Sequence, residues 1–214
     1  MKLFYLLLML MISSVVFAGN SIPFDKYEEA TIHFHDGTSI RGFGKITVTS
    51  RIKFKTTEDG EPDTWTELML KGITLHRELV DIDFLYIKVD RRKTLRLLEV
   101  IELGEISIFA EASSTLLPFT VYFNVGGLGS PDILSNNLLG VPNSYDQEVS
   151  FDIYAKKENE EAINFTTVFK FKKVATKFFK NCPQIVDRLQ DRKYKRGDII
   201  EMVYYYNDYC AALD

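Results

Sequence analysis

The sequence predicts an α+β protein: an N-terminal curled antiparallel β-sheet, either a roll or a small barrel, followed by a C-terminal disulfide-linked helical segment. Residues 27–109 contain short runs of alternating apolar and polar residues separated by polar turns, which is typical of antiparallel strands. Residues 164–214 instead place apolar residues at helical spacing. Both cysteines of the chain, Cys182 and Cys210, lie in this second part.

The first 18 residues predict a secretory signal peptide. Lys2 precedes an apolar run from Leu3 to Ile12, and small residues then lead to Ala18, as in a cleaved export signal. The alternative is an uncleaved membrane anchor, but this run is short of the roughly 20 apolar residues that span a bilayer. We therefore expect a secreted or periplasmic protein with no transmembrane segment after cleavage.

Composition divides the chain into three parts. We expect the signal peptide at 1–18, a mainly β domain at 19–163 and the helical segment at 164–214. Within the β domain, residues 118–147 are rich in Pro, Gly, Asn and Ser and almost uncharged, which predicts a loop-rich stretch. Because long unstructured loops are uncommon in compact domains, the alternatives there are a short helix at 133–139 or a mobile excursion.

The first hairpin is predicted at Asp36-Gly37, which separates two alternating runs. An Asp-Gly pair suits a type I′ turn, in which both central residues have a positive φ. Ile32 and Phe34 should face the core before the turn, and Ile52 and Phe54 should do so in a later strand. Further strands are predicted at 65–70, 81–89, 94–101 and 106–109, with a strand, turn and strand in SFDIYAKKENEEAINFTT.

The first helix follows from an apolar stripe. Its members lie at positions i, i+3, i+4, i+7 and i+11: Phe171, Val174, Ala175, Phe178 and Cys182. Pro183 fits the first turn of a second helix that runs to Gln190, because the missing N–H of proline costs nothing there. That helix should bury three residues: Ile185, Val186 and Leu189.

The last helix is predicted to begin after Asp198, a residue type that commonly caps helix N-termini. Its apolar stripe repeats the earlier spacing: Ile199, Val203, Tyr206 and Cys210. Three further tyrosines cannot all share this stripe, and they either pack onto the sheet or form a docking surface: Tyr204, Tyr205 and Tyr209.

Each cysteine ends one of these stripes, so both thiols should point into the same packing seam. In an exported protein such a pair is expected to form a disulfide. Closing the loop between Cys182 and Cys210 should contribute roughly 3–4 kcal/mol in the chain-entropy model. Two buried free thiols are the alternative, and a redox or metal pair would need closer spacing or further ligands.

Charge is unevenly distributed along the chain. The net charge is −4 overall, whereas residues 164–197 contain 10 Lys and Arg against two acids, a net charge of +8. Four lysines lie off the apolar stripe of the first helix and are candidates for contact with an anionic surface: Lys170, Lys173, Lys177 and Lys180. The alternatives are a solvated helix face and docking against the acidic part of the same chain.

No motif predicts catalytic, cofactor-binding or metal-binding residues. His33, His35 and His76 could bind zinc only if the fold brought them together, and a solvated strand face is the alternative for the first two. The chain has no Gly-x-Ser-x-Gly sequence, and its glycine-rich VGGLGS stretch has no Walker lysine. Its 30 acids always permit some carboxylate pair, so a hydrolase stays open.

The segment FKKVATKFFKNCPQIVDRL…KYKRGDIIEMVYYYNDYC resembles the C-terminal part of a group of secreted proteins of Bacteroidetes, flavobacterial type, without an assigned function. Four elements carry the resemblance: Lys172-Lys173, Cys182-Pro183, Tyr194-Lys195-Arg196, and Tyr206-Asn207 followed by Cys210. YAKKENEEAINF, ATIHFHDGTSIRGFGKI and RLLEVIELGEISIF also resemble pieces of that group. The resemblance implies a bacterial exported protein and supplies no catalytic residue.

We therefore expect a non-catalytic binding or structural module of the cell envelope. The alternatives are a carboxylate-dependent hydrolase of the periplasm or cell surface, and adhesion to a polyanionic surface through the four lysines. Expected partners are an envelope protein or such a surface. The export signal argues against nucleic acid, and we expect no cofactor.

Overall fold

A computed structural model describes residues 26–47, 49–78, 80–112 and 151–211. The predicted signal peptide at 1–18 and the loop-rich stretch at 118–147, with its alternative helix at 133–139, lie outside these ranges. None of the helices in the described ranges combines the length and hydropathy that a transmembrane span requires.

The described chain forms ten strands and then three α-helices. The strands are β1 Glu28–Phe34, β2 Ser39–Ile46, β3 Ile52–Lys55, β4 Asp63–Trp65, β5 Leu70–His76, β6 Asp81–Ile87, β7 Arg96–Glu102, β8 Ile106–Ala112, β9 Phe151–Lys157 and β10 Ile163–Asn164. The helices are α1 Phe171–Phe178, α2 Pro183–Gln190 and α3 Ile199–Tyr209, with a 3₁₀ turn at Arg196–Asp198 before α3.

The ten strands form one antiparallel sheet in the order β10-β9-β8-β7-β6-β5-β1-β2-β3-β4. This arrangement confirms the predicted α+β class, with an antiparallel sheet followed by disulfide-linked helices. Among the described strands the sheet is not closed into a barrel, because β4 and β10 form its two edges. Both edge strands are short, with three and two residues, which limits their pairing with other chains.

The sheet buries one face at its β1 to β5 end and both faces at β7 to β9, where the helices cover one of them. At the β1 to β5 end, Ile32 and Ile73 face each other across the ladder in one core, and Ile52 and Phe54 join them as predicted. A small second core occupies the other face of β7 to β9: Val89, Leu98, Phe109, Tyr154 and Ala162. A parallel bridge joins Val89 to Ala162, which ties the end of β6 to the segment before β10. Because three strands separate β6 from β10, the sheet must curve over this second core.

The prediction of a strand at 65–70 is wrong. Strand β4 ends at Trp65, and the next residues form a turn in which the Thr66 carbonyl accepts the N–H groups of Met69 and Leu70, both at 3.0 Å. The real strand is β5, which lies between β1 and β6. Gly72 interrupts its apolar pattern, but a Cβ at this position would collide with the carbonyl oxygen of Phe84.

The first hairpin forms where it is predicted, but with a different turn. Gly37 has a φ of 88°, and Asp36 is not among the described residues with positive φ. Gly37 donates its N–H to the Phe34 carbonyl at 3.2 Å, and Phe34 donates to Thr38 at 2.9 Å. A three-residue loop with one left-handed glycine therefore replaces the type I′ turn.

The helices pack on β8 and β9 through the predicted stripes. Ala175 and Phe178 of α1 and Ile185 and Leu189 of α2 are buried, as are the apolar stripe residues of α3, whereas Phe171, Val174 and Val186 are half-buried. An aromatic cluster fills the centre and joins the stripe residues Phe178 and Tyr206 to two rings that the stripes did not predict, Phe165 and Phe179. The Nζ of Lys157, on β9, lies over two of these rings, 5.3 Å from the ring centre of Phe178 and 5.5 Å from that of Tyr206.

The last helix begins after Asp198, as predicted, but without a side-chain capping bond. Asp198 occupies the N-cap position of α3, but its side chain makes no capping hydrogen bond to that helix. Its Oδ2 instead accepts the N–H of Lys195 at 2.6 Å. The carboxylate therefore closes the 3₁₀ turn that leads into α3.

Candidate functional site

The helical segment is closed by the predicted disulfide. The Sγ atoms of Cys182 and Cys210 are 2.06 Å apart and their Cα atoms 5.6 Å apart. Cys182 directly precedes α2 and Cys210 directly follows α3, and both residues are buried. The bridge confirms the expected pairing and removes the alternative of two free thiols. It indicates an oxidising compartment, in which such bonds persist.

The amide side chain of Asn207 makes the main polar contact between helix α3 and the β7–β8 hairpin. Asn207 accepts the N–H of Ile106 at 3.1 Å and donates to the Ile106 carbonyl at 2.9 Å. Its Nδ2 also donates to Glu102 at 3.2 Å, and the neighbouring Tyr206 hydroxyl donates to Glu105 at 3.1 Å. Asn207 thus satisfies both backbone groups of a fully buried residue, as a paired strand would.

Arg196 fixes the segment that precedes α1. Its guanidinium donates to the carbonyl oxygens of Phe165, Thr166 and Val168, the last at 3.0 Å. The guanidinium also lies 5.7 Å from the centre of the Phe171 ring. One side chain from the turn before α3 therefore sets where the chain enters α1.

We predict that Arg196→Lys lowers the free energy of unfolding by about 1–2 kcal/mol, because an ammonium cannot reach three carbonyls spread along a turn. Urea unfolding would measure this loss. Arg192→Lys is the matched control, since Arg192 is exposed in the same basic stretch. Equal stability of the two variants would show that the guanidinium contacts do not hold the segment.

An open groove lies where α1 meets the end of α2. Its volume is about 690 Å³, and we call it the lysine groove after its lining residues: Lys170, Phe171, Lys172, Lys173, Thr176 and Gln190. The Nζ of Lys172 donates to the Gln190 carbonyl at 3.1 Å, which joins the two helices across the groove. The three ammonium groups face no acid among the lining residues.

The structure divides the four lysines predicted to contact an anionic surface. Lys170 and Lys173 line the lysine groove, whereas Lys177 and Lys180 are exposed but are not among its lining residues. Sequence reasoning missed Lys172, because its place depends on Gln190, which lies 18 residues away. No periodic signal could have shown that contact.

A polar network covers one face of β1, β5 and β6. His33 donates through Nε2 to the Thr74 hydroxyl at 2.8 Å, and Thr74 donates to Asp83 at 2.6 Å. This chain of bonds crosses three strands and satisfies Thr74, which is buried. His33 is therefore a cross-strand partner rather than a freely solvated side chain.

A second chain in this network places Thr31, His76 and Asp81 in the order of a nucleophile, base and orienting acid. His76 Nδ1 lies 2.9 Å from Asp81, and Nε2 lies 2.8 Å from the Thr31 hydroxyl. However, β1 and β5 each pair with a neighbouring strand on both sides. Their backbone N–H groups therefore point toward the neighbouring strands and do not form an oxyanion hole. We interpret the contacts as cross-strand pairing.

The three histidines do not form a metal site. His35 bonds separately, from its Nε2 to the Glu67 carbonyl at 3.0 Å. Among the described residues, no group of three or more His, Cys, Asp or Glu side chains is placed to hold a metal ion.

One acid pair does lie together on β8 and β9, where Glu111 faces Asp152 across the ladder. Arg96 pairs with one oxygen of Glu111, and the Tyr154 hydroxyl donates to the other at 2.7 Å. Burial, and next the hydrogen bond to Glu111, raise the pKa of Tyr154, which keeps this hydroxyl a donor. Because both Glu111 oxygens are engaged, this pair gives no support to a hydrolase.

The four tyrosines of α3 differ in burial, as their positions along the helix suggest. Tyr206 is fully buried, whereas Tyr204 and Tyr209 are 40% and 63% exposed. Tyr205 is half-buried, with its ring centre 4.9 Å from that of Tyr209 and 4.9 Å from the Arg188 guanidinium. Of the four tyrosines, only Tyr206 belongs to the buried core.

No family model, curated protein or solved structure matches this chain.

Proposed function

We propose that this chain is a non-catalytic binding module of the cell envelope, exported to the periplasm or the cell surface, that attaches to an anionic partner through its C-terminal helices. One observation carries the proposal: residues 164–197 have a net charge of +8, nine of their ten basic residues are exposed on the helices and the turns beside them, and three of these line the lysine groove. The overall charge is −4, so attraction to an anion must be local to this surface.

The groove suits binding rather than catalysis. Lys170, Lys172 and Lys173 bring three positive charges to one open surface, without an acid, thiol or imidazole among the lining residues. Ammonium groups attract phosphate, sulfate and carboxylate groups as point charges. Because the charges are exposed, salt should weaken the attraction over a Debye length of about 8 Å at physiological ionic strength.

The surrounding structure holds the groove in place before any partner arrives. The disulfide fixes the start of α2, Arg196 fixes the entry to α1, and Lys172 joins the two helices. A surface that is already ordered loses less conformational entropy on binding. This favours a binding role for a segment that is otherwise only a small helical cap on a sheet.

Reversing the charge of the four predicted lysines should abolish binding to an anionic matrix. The variant combines Lys170→Glu, Lys173→Glu, Lys177→Glu and Lys180→Glu. Each lysine near an anionic surface contributes about 1 kcal/mol, so losing four should weaken binding more than 100-fold. Retention on heparin-agarose and its elution by a salt gradient would measure this change.

A control variant of equal charge keeps the experiment specific. It reverses four exposed basic residues of the sheet domain: Lys26, Arg91, Arg92 and Lys93. We expect this control to elute close to the wild-type protein. Equal loss of retention in both variants would mean that net charge alone governs binding, and a wild-type protein that at low salt binds neither heparin nor anionic lipid vesicles would refute the proposal.

A further inference from the structure

The ring of Phe169 is the apolar feature next to the lysine groove that the fold does not use. It is 83% exposed, whereas Phe171, two residues later, packs edge-on against Phe165 at a centroid distance of 6.1 Å. The Val168 side chain on the other side packs against the core. A side chain without a polar atom is thus presented to solvent between two residues that are packed.

The backbone at this point is shaped to present that ring. Lys170 has φ 57° and ψ 50°, the left-handed conformation that side-chain-bearing residues rarely adopt, and this turns the chain into α1. The guanidinium of Arg196 donates a hydrogen bond to the Val168 carbonyl at 3.0 Å. Phe169 therefore projects from a turn that is fixed on both sides.

The neighbouring charges suggest what the ring would contact. The Nζ of Lys170 lies 5.7 Å from the centre of the Phe169 ring, and Lys172 and Lys173 follow in the lysine groove. An exposed aromatic ring with lysines beside it is typical of proteins that lie on a membrane surface, with the ring at the acyl boundary and the lysines at the headgroups. A soluble polyanion would use the lysines but would gain little from a bare phenyl ring.

We infer that the anionic partner is the surface of a lipid bilayer, and that Phe169 inserts into it while Lys170, Lys172 and Lys173 contact acidic headgroups. This inference rests on the proposed function and specifies its partner. It requires only peripheral attachment by one ring and a group of charges. The interaction should therefore be reversible and sensitive to salt.

Co-sedimentation with vesicles tests the inference on the purified exported protein. Vesicles of phosphatidylcholine alone are compared with vesicles that also contain phosphatidylglycerol. We expect binding only to the anionic vesicles and a loss of about tenfold or more in affinity for Phe169→Ala, because that variant removes the inserted ring. Leu68→Ala is the matched control, since Leu68 is 85% exposed in the turn before β5, and it should bind like the wild type.

A second variant reports insertion directly. Phe169→Trp should retain binding, and its added fluorescence should shift to shorter wavelength with anionic vesicles and not with phosphatidylcholine alone. Binding to anionic vesicles that is unchanged in Phe169→Ala would overturn the inference. Binding to soluble heparin without binding to vesicles would overturn it while leaving the proposed function intact, and binding to neither would refute both.

Discussion

Replacing both cysteines, Cys182→Ala together with Cys210→Ala, is expected to lower the free energy of unfolding by about 3–4 kcal/mol. The bridge spans 28 residues and therefore restricts the unfolded chain across α2 and α3. A net stability of about 5–15 kcal/mol is usual for a domain, so this loss is a large fraction of the total. Urea unfolding of the oxidised proteins would measure it.

Reduction provides the control for this prediction. A reductant should destabilise the wild-type protein to nearly the level of the double variant, and it should leave the double variant unchanged. Wild-type stability in the double variant would show that packing alone fixes α2 and α3. It would also remove the main reason for regarding the lysine groove as preorganised.

Asn207→Leu is expected to cost about 2–4 kcal/mol, because it leaves the N–H and the carbonyl of Ile106 without their partner. Leucine has a similar size, so the change tests the hydrogen bonds more than the packing. Asp208→Ala is the matched control, since Asp208 is the next residue of α3 and is exposed. Thermal or urea unfolding of the two variants would separate them, and equal stability would contradict the docking role of Asn207.

Gly104 offers an independent check on the same contact. A Cβ at this exposed turn position would lie 2.5 Å from Nδ2 and 2.9 Å from Cγ of Asn207. The side-chain amide cannot move away without losing its bonds to Ile106. We therefore expect Gly104→Ala to destabilise the wild type, and to cost much less in an Asn207→Ala background, where the clashing atoms are gone. Additive losses would mean that the two residues act separately.

These two contacts matter for the proposed function because they orient the basic surface. The net charge of residues 164–197 is +8, whereas the sheet domain is acidic, so a loosely held segment could fold its lysines back onto the sheet. Asn207 and the disulfide hold α3 and the start of α2 on β8. Both destabilising variants should therefore also weaken binding to anionic vesicles, in proportion to how far they release the helices.

Periodic patterns predicted most of the local structure, because alternation and the helical repeat each record which side of an element is buried. Ile52 and Phe54 point inward from β3, and Ile199, Val203 and Tyr206 form one buried stripe on α3, as expected. The cysteines were predictable for the same reason, since each ends a stripe. Strand β5 was missed because Gly72 breaks its pattern, and the glycine is explained by the neighbouring strand β6, whose Phe84 carbonyl and Leu85 a Cβ would meet.

The sequence by itself therefore determined the α+β class, the buried faces and the cysteine pairing, because local spacing reports burial along a single element. Only the tertiary structure decided that Lys172 meets Gln190, that Arg196 reaches the carbonyls before α1 and that Asn207 bonds Ile106. These contacts join residues 18 to 101 positions apart, and they depend on where whole elements pack. No pattern within one element contains that information.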